Sequence, residues 1–532
     1  MSSSKPDASK SAPPTETVFT VGARDHTSEE APRLAHTLKP RHLSMIALGG
    51  IIGAGLLVAS SSAIEAAGPG VLISYGLAGV VIVLVMRMLG EMASASPDTG
   101  SFSAYATKFI GPWAGLSIGW LYWWFWVVTV GVEATAASRI ITKYVDMPQW
   151  VPALVLTLFF LGLNLVSVKS FGEMEFWFAG IKIVAISLFI VFGVLLLAHV
   201  IPSEHQGVDY AAEGGLLPNG IEGVFIALLP VIFSMFGAEV ATVAAGESEN
   251  PAHAVRKAVN TVVWRIMLFY IGSIAIIVLL LPHSAVEVGV SPFVSALTYV
   301  GIPGTDTIMD IVVLTAMLST LNASLYTASR MAFSLAGRGE APRSFRRVNG
   351  HNTPYVAILA SASVGLISVV LNYAMPKAVF NLLVNSTGAV AIFVWLVIAV
   401  SELRSRKMLA AQGIVPGRDR GTIRMWGFPW ITWLVIISLV ALLVYMTFNR
   451  DPEIRVQLYL SLVVAGVSVV AGVIVQRRQH RSAAAEQVDL GAAAADEIAE
   501  TADPGLYAED LAEAEADAAE RHADDAADRH DR

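Results

Sequence analysis

Four glycines fall within the seven residues Gly49-Gly50-Ile51-Ile52-Gly53-Ala54-Gly55, in the middle of an apolar run from about Leu43 to Ala66. The run is long enough to cross a bilayer as a helix. Each glycine costs about 1 kcal/mol against alanine in a helix interior, so the stretch predicts a span that unwinds partway across. In lipid, unwound backbone survives only where protein covers it or where it lines a polar cavity. The freed N–H and C=O groups then form a site for a ligand carrying a carboxylate and an amine. A second interruption, Phe233-Ser234-Met235-Phe236-Gly237-Ala238-Glu239, lies about half a transporter core further on. Two glycine-broken spans at corresponding positions of two halves point to the binding site of a secondary transporter.

Composition agrees with a membrane setting. The 532 residues are 55% hydrophobic and 15% charged, against about a quarter charged in soluble proteins. An all-α polytopic membrane protein is expected. The formal net charge of −8 is concentrated in a C-terminal tail. From Ala483 onward the chain is rich in Ala, Asp and Glu, too polar to bury a core. Three regions are expected: a disordered N-terminal tail at 1–38, a twelve-helix membrane domain at 39–477, and an acidic, Ala-rich tail at 478–532. No signal peptide is expected, since the first apolar run starts near Leu43. Without cysteine, disulfides, thiolate metal sites and a Cys nucleophile are excluded.

Apolar spans fall at roughly 42–66, 70–92, 113–140, 149–168, 174–199, 221–246, 260–282, 306–335, 354–374, 378–401, 428–449 and 455–476. Alternate loops carry most of the basic residues, among them Lys108, Lys169, Arg256, Lys257, Arg338, Arg343, Arg346, Arg347, Arg404, Arg406, Lys407, Arg418, Arg420 and Arg424. The opposite set carries Lys143, Lys377 and Arg450. That bias puts both termini in the cytoplasm. The glycine-rich run lies in span one and the second break in span six. A five-plus-five inverted repeat with broken helices 1 and 6, plus two extra helices, accounts for the spacing. The halves share no residue-level repeat.

Several blocks resemble the amino acid transporter family of the amino acid–polyamine–organocation superfamily, across roughly residues 38–476. They are Leu38-Lys39-Pro40-Arg41-His42, Gly50-Ile51-Ile52-Gly53-Ala54-Gly55-Leu56, Met88-Leu89-Gly90-Glu91-Met92, Pro97-Asp98-Thr99-Gly100-Ser101-Phe102, Gly119-Trp120-Leu121-Tyr122-Trp123-Trp124, Gly172-Glu173-Met174-Glu175-Phe176-Trp177 with Lys182, and Tyr326-Thr327-Ala328-Ser329-Arg330. Within that family, Pro97 to Trp126 and Leu396 to Leu403 look most like bacterial 4-aminobutyrate (GABA) permeases. Proline, D-Ala/D-Ser/Gly, asparagine and aromatic permeases share most of the blocks. The resemblance implies the broken-helix fold and proton-coupled uptake without ATP or cofactor.

Candidate substrate-binding residues are Ile51, Gly53, Ala54, Gly55, Phe233, Ser234, Phe236 and Gly237. A half-helix restarting near Ala54 offers free N–H groups to a carboxylate, while carbonyls near Ile51 and Phe233 take the ammonium. The competing reading is that these small residues only let helices approach closely. A dinucleotide-binding loop is excluded, because the glycine spacing is wrong and strand–turn–helix is missing.

Coupling candidates are Lys182, Glu133 and Glu239. Lys182 lies about 12 Å into span five, counted at helical rise from Met174. A lysine held charged at the bilayer centre costs about 2.5–3.5 kcal/mol, so its charge is conditional; the alternative is snorkelling to the rim. The resemblance implies that it stands where sodium-driven relatives keep a sodium ion. Glu133 and Glu239 are carboxyls at depth that face the bundle interior, as functional acids or as neutral structural ones. Trp126 and Phe236 are candidate caps. Trp120, Trp123 and Trp124 suit packing or an interfacial belt, and Ser319 and Asn322 suit polar contacts between helices.

The expected activity is proton-coupled symport of a small zwitterionic amino acid, most of all GABA, across the plasma membrane by alternating access. Alternatives are another neutral amino acid or exchange. A channel is disfavoured because no ring-like charged constriction is visible, and an intramembrane enzyme because paired metal-spaced or serine–histidine motifs are missing. Expected partners are the amino acid, protons and membrane lipid. No nucleic acid, metal or obligate protein partner is implied.

Overall fold

The computed structural model describes residues 52–96, 101–166, 168–203, 207–240, 251–375, 379–419, 422–450 and 458–477, with residues 45, 242, 452 and 454–456. Both tails, Ile51 and the blocks Leu38–His42 and Pro97–Gly100 lie outside them. Regular structure among the described residues is helical, with no strand among them.

α1 (Ala54–Leu57) and α2 (Ser60–Ala67) are followed by a turn at Gly68–Gly70 and by α3 (Val71–Ala95). Then come α4 (Ser101–Phe109), α5 (Pro112–Tyr144), α6 (Trp150–Val166) and α7 (Val168–Leu197). α8 (Gly220–Met235) precedes α9 (Pro251–Arg265), which passes through a π-helical segment, Ile266–Gly272, into α10 (Ser273–Leu280). The rest is α11 (Pro292–Val300), α12 (Thr305–Gly337), α13 (Tyr355–Ala374), α14 (Val379–Ala411), α15 (Trp430–Phe448) and α16 (Ile454–Arg477). Among the described residues nine helical stretches are long and apolar enough to cross a membrane, the first running Ala54–Ala95; Trp150–Val166 and Gly220–Met235 are shorter and apolar.

Burial separates axis from periphery. In the most apolar window of α5 83% of the residues are buried, against 28% for α7, α15 and α16. α5 is therefore the axis, and α7, α15 and α16 turn an apolar face outward. Leu188, Val184, Leu434, Ile437 and Val463 are all exposed; water would penalise such a surface and lipid does not. Small residues let neighbours close on α5. A Cβ at Gly131 would lie 2.7 Å from Ser368 of α13, and one at Gly365 of α13 would lie 2.6 Å from Val130, the close approach that glycine permits in membrane bundles.

Two helices escape a reading based on long apolar runs. α4 buries Phe102, Tyr105, Ala106 and Phe109, and α11 buries Phe293, Val294, Ala296, Leu297 and Val300. Both carry an apolar stripe at helical spacing but are too short to span. At the basic end, Arg406 of α14 grips Glu91 of α3 through two bonds of 2.6 and 2.7 Å. The Met425 amide donates to the same carboxylate, and the Ile423 amide donates to Ser94 at 2.9 Å. The segment before α15 is thus stitched onto α3 and α14.

Candidate functional site

The first break lies between Ile52 and Ala54. Gly53 is extended, at φ −143° and ψ −151°, and α1 begins at Ala54. The amide and carbonyl groups this frees are buried and need partners. The Ile52 carbonyl accepts from Lys182 Nζ of α7 at 3.0 Å and from the Thr320 hydroxyl of α12 at 3.3 Å. On the other side, the Ala54 amide donates to both oxygens of Glu133 of α5, at 3.0 and 3.1 Å. A basic side chain thus meets backbone carbonyl and an acidic one meets a helix-opening amide, the arrangement that peptide dipoles favour for the charged forms. Gly53 sits inside this clamp: a Cβ there would lie 2.5 Å from Glu133 Oε1 and fall on the Thr320 hydroxyl.

Lys182 and its neighbours are fully enclosed. Glu175, seven residues earlier on α7, places a carboxylate oxygen 4.0 Å from Nζ, and both side chains are wholly buried. The Ser319 hydroxyl of α12 lies 2.9 and 2.8 Å from the two oxygens of Glu175. Ser319 and Thr320, adjacent on α12, thereby serve the acid and the carbonyl that Lys182 joins. Asn322 has a different task, accepting from Asn164 of α6 at 2.9 Å.

The second break follows α8. Phe236 is extended, with ψ 144°, and Gly237 has φ +104°, a conformation that favours glycine. The Gly237 amide donates to both oxygens of Glu239, at 3.1 Å each. The Ser234 carbonyl accepts from the Tyr270 hydroxyl at 2.9 Å. Tyr270 stands in the π-helical segment that follows α9, a wide turn of the kind often found at functional sites.

The breaks meet each other. A Cβ at Gly55 would lie 2.7 Å from Ser234 Cα, so backbone packs on backbone there. Between them is a cavity of about 20 Å³ bordered by Gly55, Phe233, Ser234, Phe236 and Glu133 from the expected set, and by Phe125, Trp126, Thr129 and Thr320. That is room for about one water and too little for an amino acid, so the described conformation is closed. The Phe125 and Phe236 rings pack 4.2 Å apart. Ala54 touches the site through Glu133. Lys182 sits behind it at the Ile52 carbonyl, and Gly237 and Glu239 lie beyond it; none of the three borders the cavity. Ile51 lies outside the described residues.

Sequence reasoning missed Glu175, Thr320, Thr129 and Tyr270. Glu175 had a signal, because seven residues are about two helical turns and bring it to the face of Lys182. Thr320 and Tyr270 had none beyond being polar residues within spans.

A second cavity, of about 800 Å³, opens at the end away from the basic loops and is bordered by Val58, Ala136, Arg139, Lys143, Glu287 and Asp310, among others. Lys143 pairs with Asp310 at 2.5 Å. A groove of about 830 Å³ along α7, with Trp177, Val184 and Leu188 in its wall, is almost wholly apolar and faces outward.

Residues 42–483 match the amino acid permease family. A gamma-aminobutyric acid permease of Bacillus subtilis (strain 168) is 45% identical over 455 residues, 85% of this chain and 96% of the relative. One from Escherichia coli (strain K12) is 46% identical over 433 residues, covering 81% and 92%. An aromatic amino acid transport protein of Corynebacterium glutamicum is 40% identical over 438 residues, covering 81% and 93%. A crystal structure of a manganese transporter mutant from Eremococcus coleocola superposes with TM-score 0.54 at 15% identity, over 82% of this chain and 94% of that one. It shares the fold.

Proposed function

The chain belongs to the amino acid permease family, and from that premise we propose that it imports a small zwitterionic amino acid, GABA above others, together with protons. The similarity to two GABA permeases supports the substrate. The bias of basic loops supports a plasma-membrane protein of twelve spans with both termini in the cytoplasm. The two breaks, in spans one and six, support a five-plus-five inverted repeat that alternates access around them.

In this proposal the substrate occupies the space between the breaks once the aromatic rings of Phe125, Trp126 and Phe236 part. Its carboxylate takes amides of the Gly53–Gly55 turn, exchanging with Glu133 at the Ala54 amide, and its ammonium turns to Glu133 and to freed carbonyls near Ile51 and Phe233. Ser234 and Phe236 form the opposite wall, and Gly237, outside the closed cavity, joins it as the second break opens. Lys182, Glu133 and Glu239 are the candidate proton carriers. The observation that carries the proposal is the bond from the Lys182 ammonium to the Ile52 carbonyl. It ties the charge state of a buried lysine on α7 to the broken backbone beside the substrate. With its proton Lys182 can donate and hold α7 against the break; without it Nζ offers fewer donors and no charge, and the contact weakens.

The test is uptake of labelled GABA into liposomes holding the full chain, with and without an inward proton gradient, against a panel of unlabelled amino acids. Saturable accumulation that an uncoupler abolishes, blocked best by unlabelled GABA, is expected. Best inhibition by an aromatic amino acid would reassign the substrate. Uptake only when the liposomes are preloaded with amino acid would mean exchange.

A further inference from the structure

We propose that the basic end of the bundle holds a site for an anionic phospholipid, its phosphate between Arg87 and Arg256 with Arg424 beside them, and its acyl chains along the outer face of α3. Three elements converge there. A Cβ at Gly90 of α3 would lie 2.7 Å from Val259 of α9 and 3.3 Å from Ile423 of the segment before α15. One turn earlier on α3, Arg87 is half-buried. Its guanidinium stacks 3.9 Å from the centre of the Trp426 ring, and its Nε donates to the Arg424 carbonyl at 3.0 Å. Arg256, exposed on α9, is near enough to repel it, and the Arg424 side chain is exposed as well.

This corner gathers like charges without an anion of its own. Among the described residues no carboxylate pairs with Arg87, Arg256 or Arg424. Glu91, one turn on from Arg87, is taken by Arg406 and the Met425 amide, and Asp419 by the Val415 amide. The stack and the carbonyl bond fix the Arg87 guanidinium in place, so less freedom is lost when a ligand binds. Its fork matches phosphate oxygens, and basic pockets between spanning helices take lipid headgroups. An anion between Arg87 and Arg256 also relieves their repulsion. A glycerol headgroup brings the phosphate charge alone, whereas choline adds a cation to three already present.

The chains have a bed on the same face. Ile73, Leu77, Val80 and Leu84 lead up to Arg87 at intervals of three or four residues, the spacing of one helix face. The first three of them are exposed. Trp426 and Trp430 are exposed too, rings of the kind that settle at headgroup level. A free phosphate gains the charges but none of this apolar contact, which favours a lipid. Bound there, the lipid ties α3 to α9, whose π-helical continuation carries Tyr270 to the Ser234 carbonyl of the second break.

The experiment titrates the full chain, purified in a neutral detergent, with phosphatidylglycerol or phosphatidylcholine. Native mass spectrometry reads the lipid retained, and fluorescence reads the melting midpoint. Wild type should retain phosphatidylglycerol in preference and melt higher with it. Arg87→Gln and Arg256→Gln should each raise the apparent Kd for phosphatidylglycerol about fivefold, the worth of about one surface charge, and leave phosphatidylcholine unchanged. Arg343→Gln, an exposed charge at the same end, should change neither. Equal retention of the two lipids, or the same loss in Arg343→Gln, would overturn the site in favour of diffuse charge. Glycerol 3-phosphate should leave the melting midpoint where it is; protection equal to that of phosphatidylglycerol would assign the cluster to a soluble phosphate ester. Binding by the chain truncated after Arg481 but not by the full chain would mean that the acidic tail fills the cluster instead. If Arg87→Gln, which also loses the Trp426 stack, fails to fold, Arg256→Gln decides. None of these readouts uses uptake, so the result is independent of the transport reading.

Discussion

The smallest parts of the site set its tightest constraints. Gly53 has the Glu133 carboxylate and the Thr320 hydroxyl where a side chain would go, and Gly55 has the backbone of Ser234. Backbone cannot swing aside as a long side chain can, and overpacking of this kind costs about 1–3 kcal/mol. Gly55→Val should therefore insert in the membrane yet lose uptake, and Gly53→Val should do the same. Membrane level by blotting and initial uptake rates check this; unchanged apparent affinity in Gly53→Val would place the carboxylate elsewhere. Tyr270→Phe removes the donor to the Ser234 carbonyl, leaving a buried acceptor unmatched at about 1–3 kcal/mol. Lower thermal stability in detergent is expected, with wild-type stability as the contrary result.

At the scale of elements, the two interruptions were legible because their glycines are visible in the chain, and the restart at Ala54 falls within the glycine-rich run. The partners that make the interruptions tolerable were only partly legible. Lys182 and Glu133 stood out as charges at depth, whereas Thr320 and Tyr270 are ordinary polar residues whose meaning depends on which helix lies opposite. Long-range neighbours of that kind leave no periodic trace. The same holds for α4 and α11, too short for a search keyed to bilayer thickness. The clamp at the basic end yields its own prediction. Arg406 is the bidentate partner of buried Glu91, and its Nε lies 3.8 Å from an oxygen of buried Glu402. Removing one member of a buried ion pair costs about 3–5 kcal/mol. Arg406→Ala should lower the melting temperature and the amount of folded protein, while Arg406→Lys, lacking the planar fork, should recover only part. Melting curves by fluorescence decide it; an unchanged midpoint for Arg406→Ala would mean the cluster is solvated.

For the whole molecule, we propose that transport is one cooperative property of the bundle and does not need the tails. The acidic segment beyond Arg481 lacks the apolar residues to offset ordering entropy. Truncation after Arg481 is expected to leave surface level and uptake intact; loss of both would assign the tail a structural role. The proposed link between proton and substrate passes through a single contact, from Lys182 on α7 to the Ile52 carbonyl beside the cavity. Lys182→Met keeps much of the volume and drops the charge, and Lys182→Arg keeps a charge that a protein cannot release. Both should lose concentrative, gradient-dependent uptake, though binding or exchange can survive in Met. The decisive measurement is accumulation of labelled GABA by each variant in liposomes under an imposed inward proton gradient. Failure of both to concentrate the label is the predicted result; wild-type accumulation by either would contradict it and move the proton to Glu133 or Glu239.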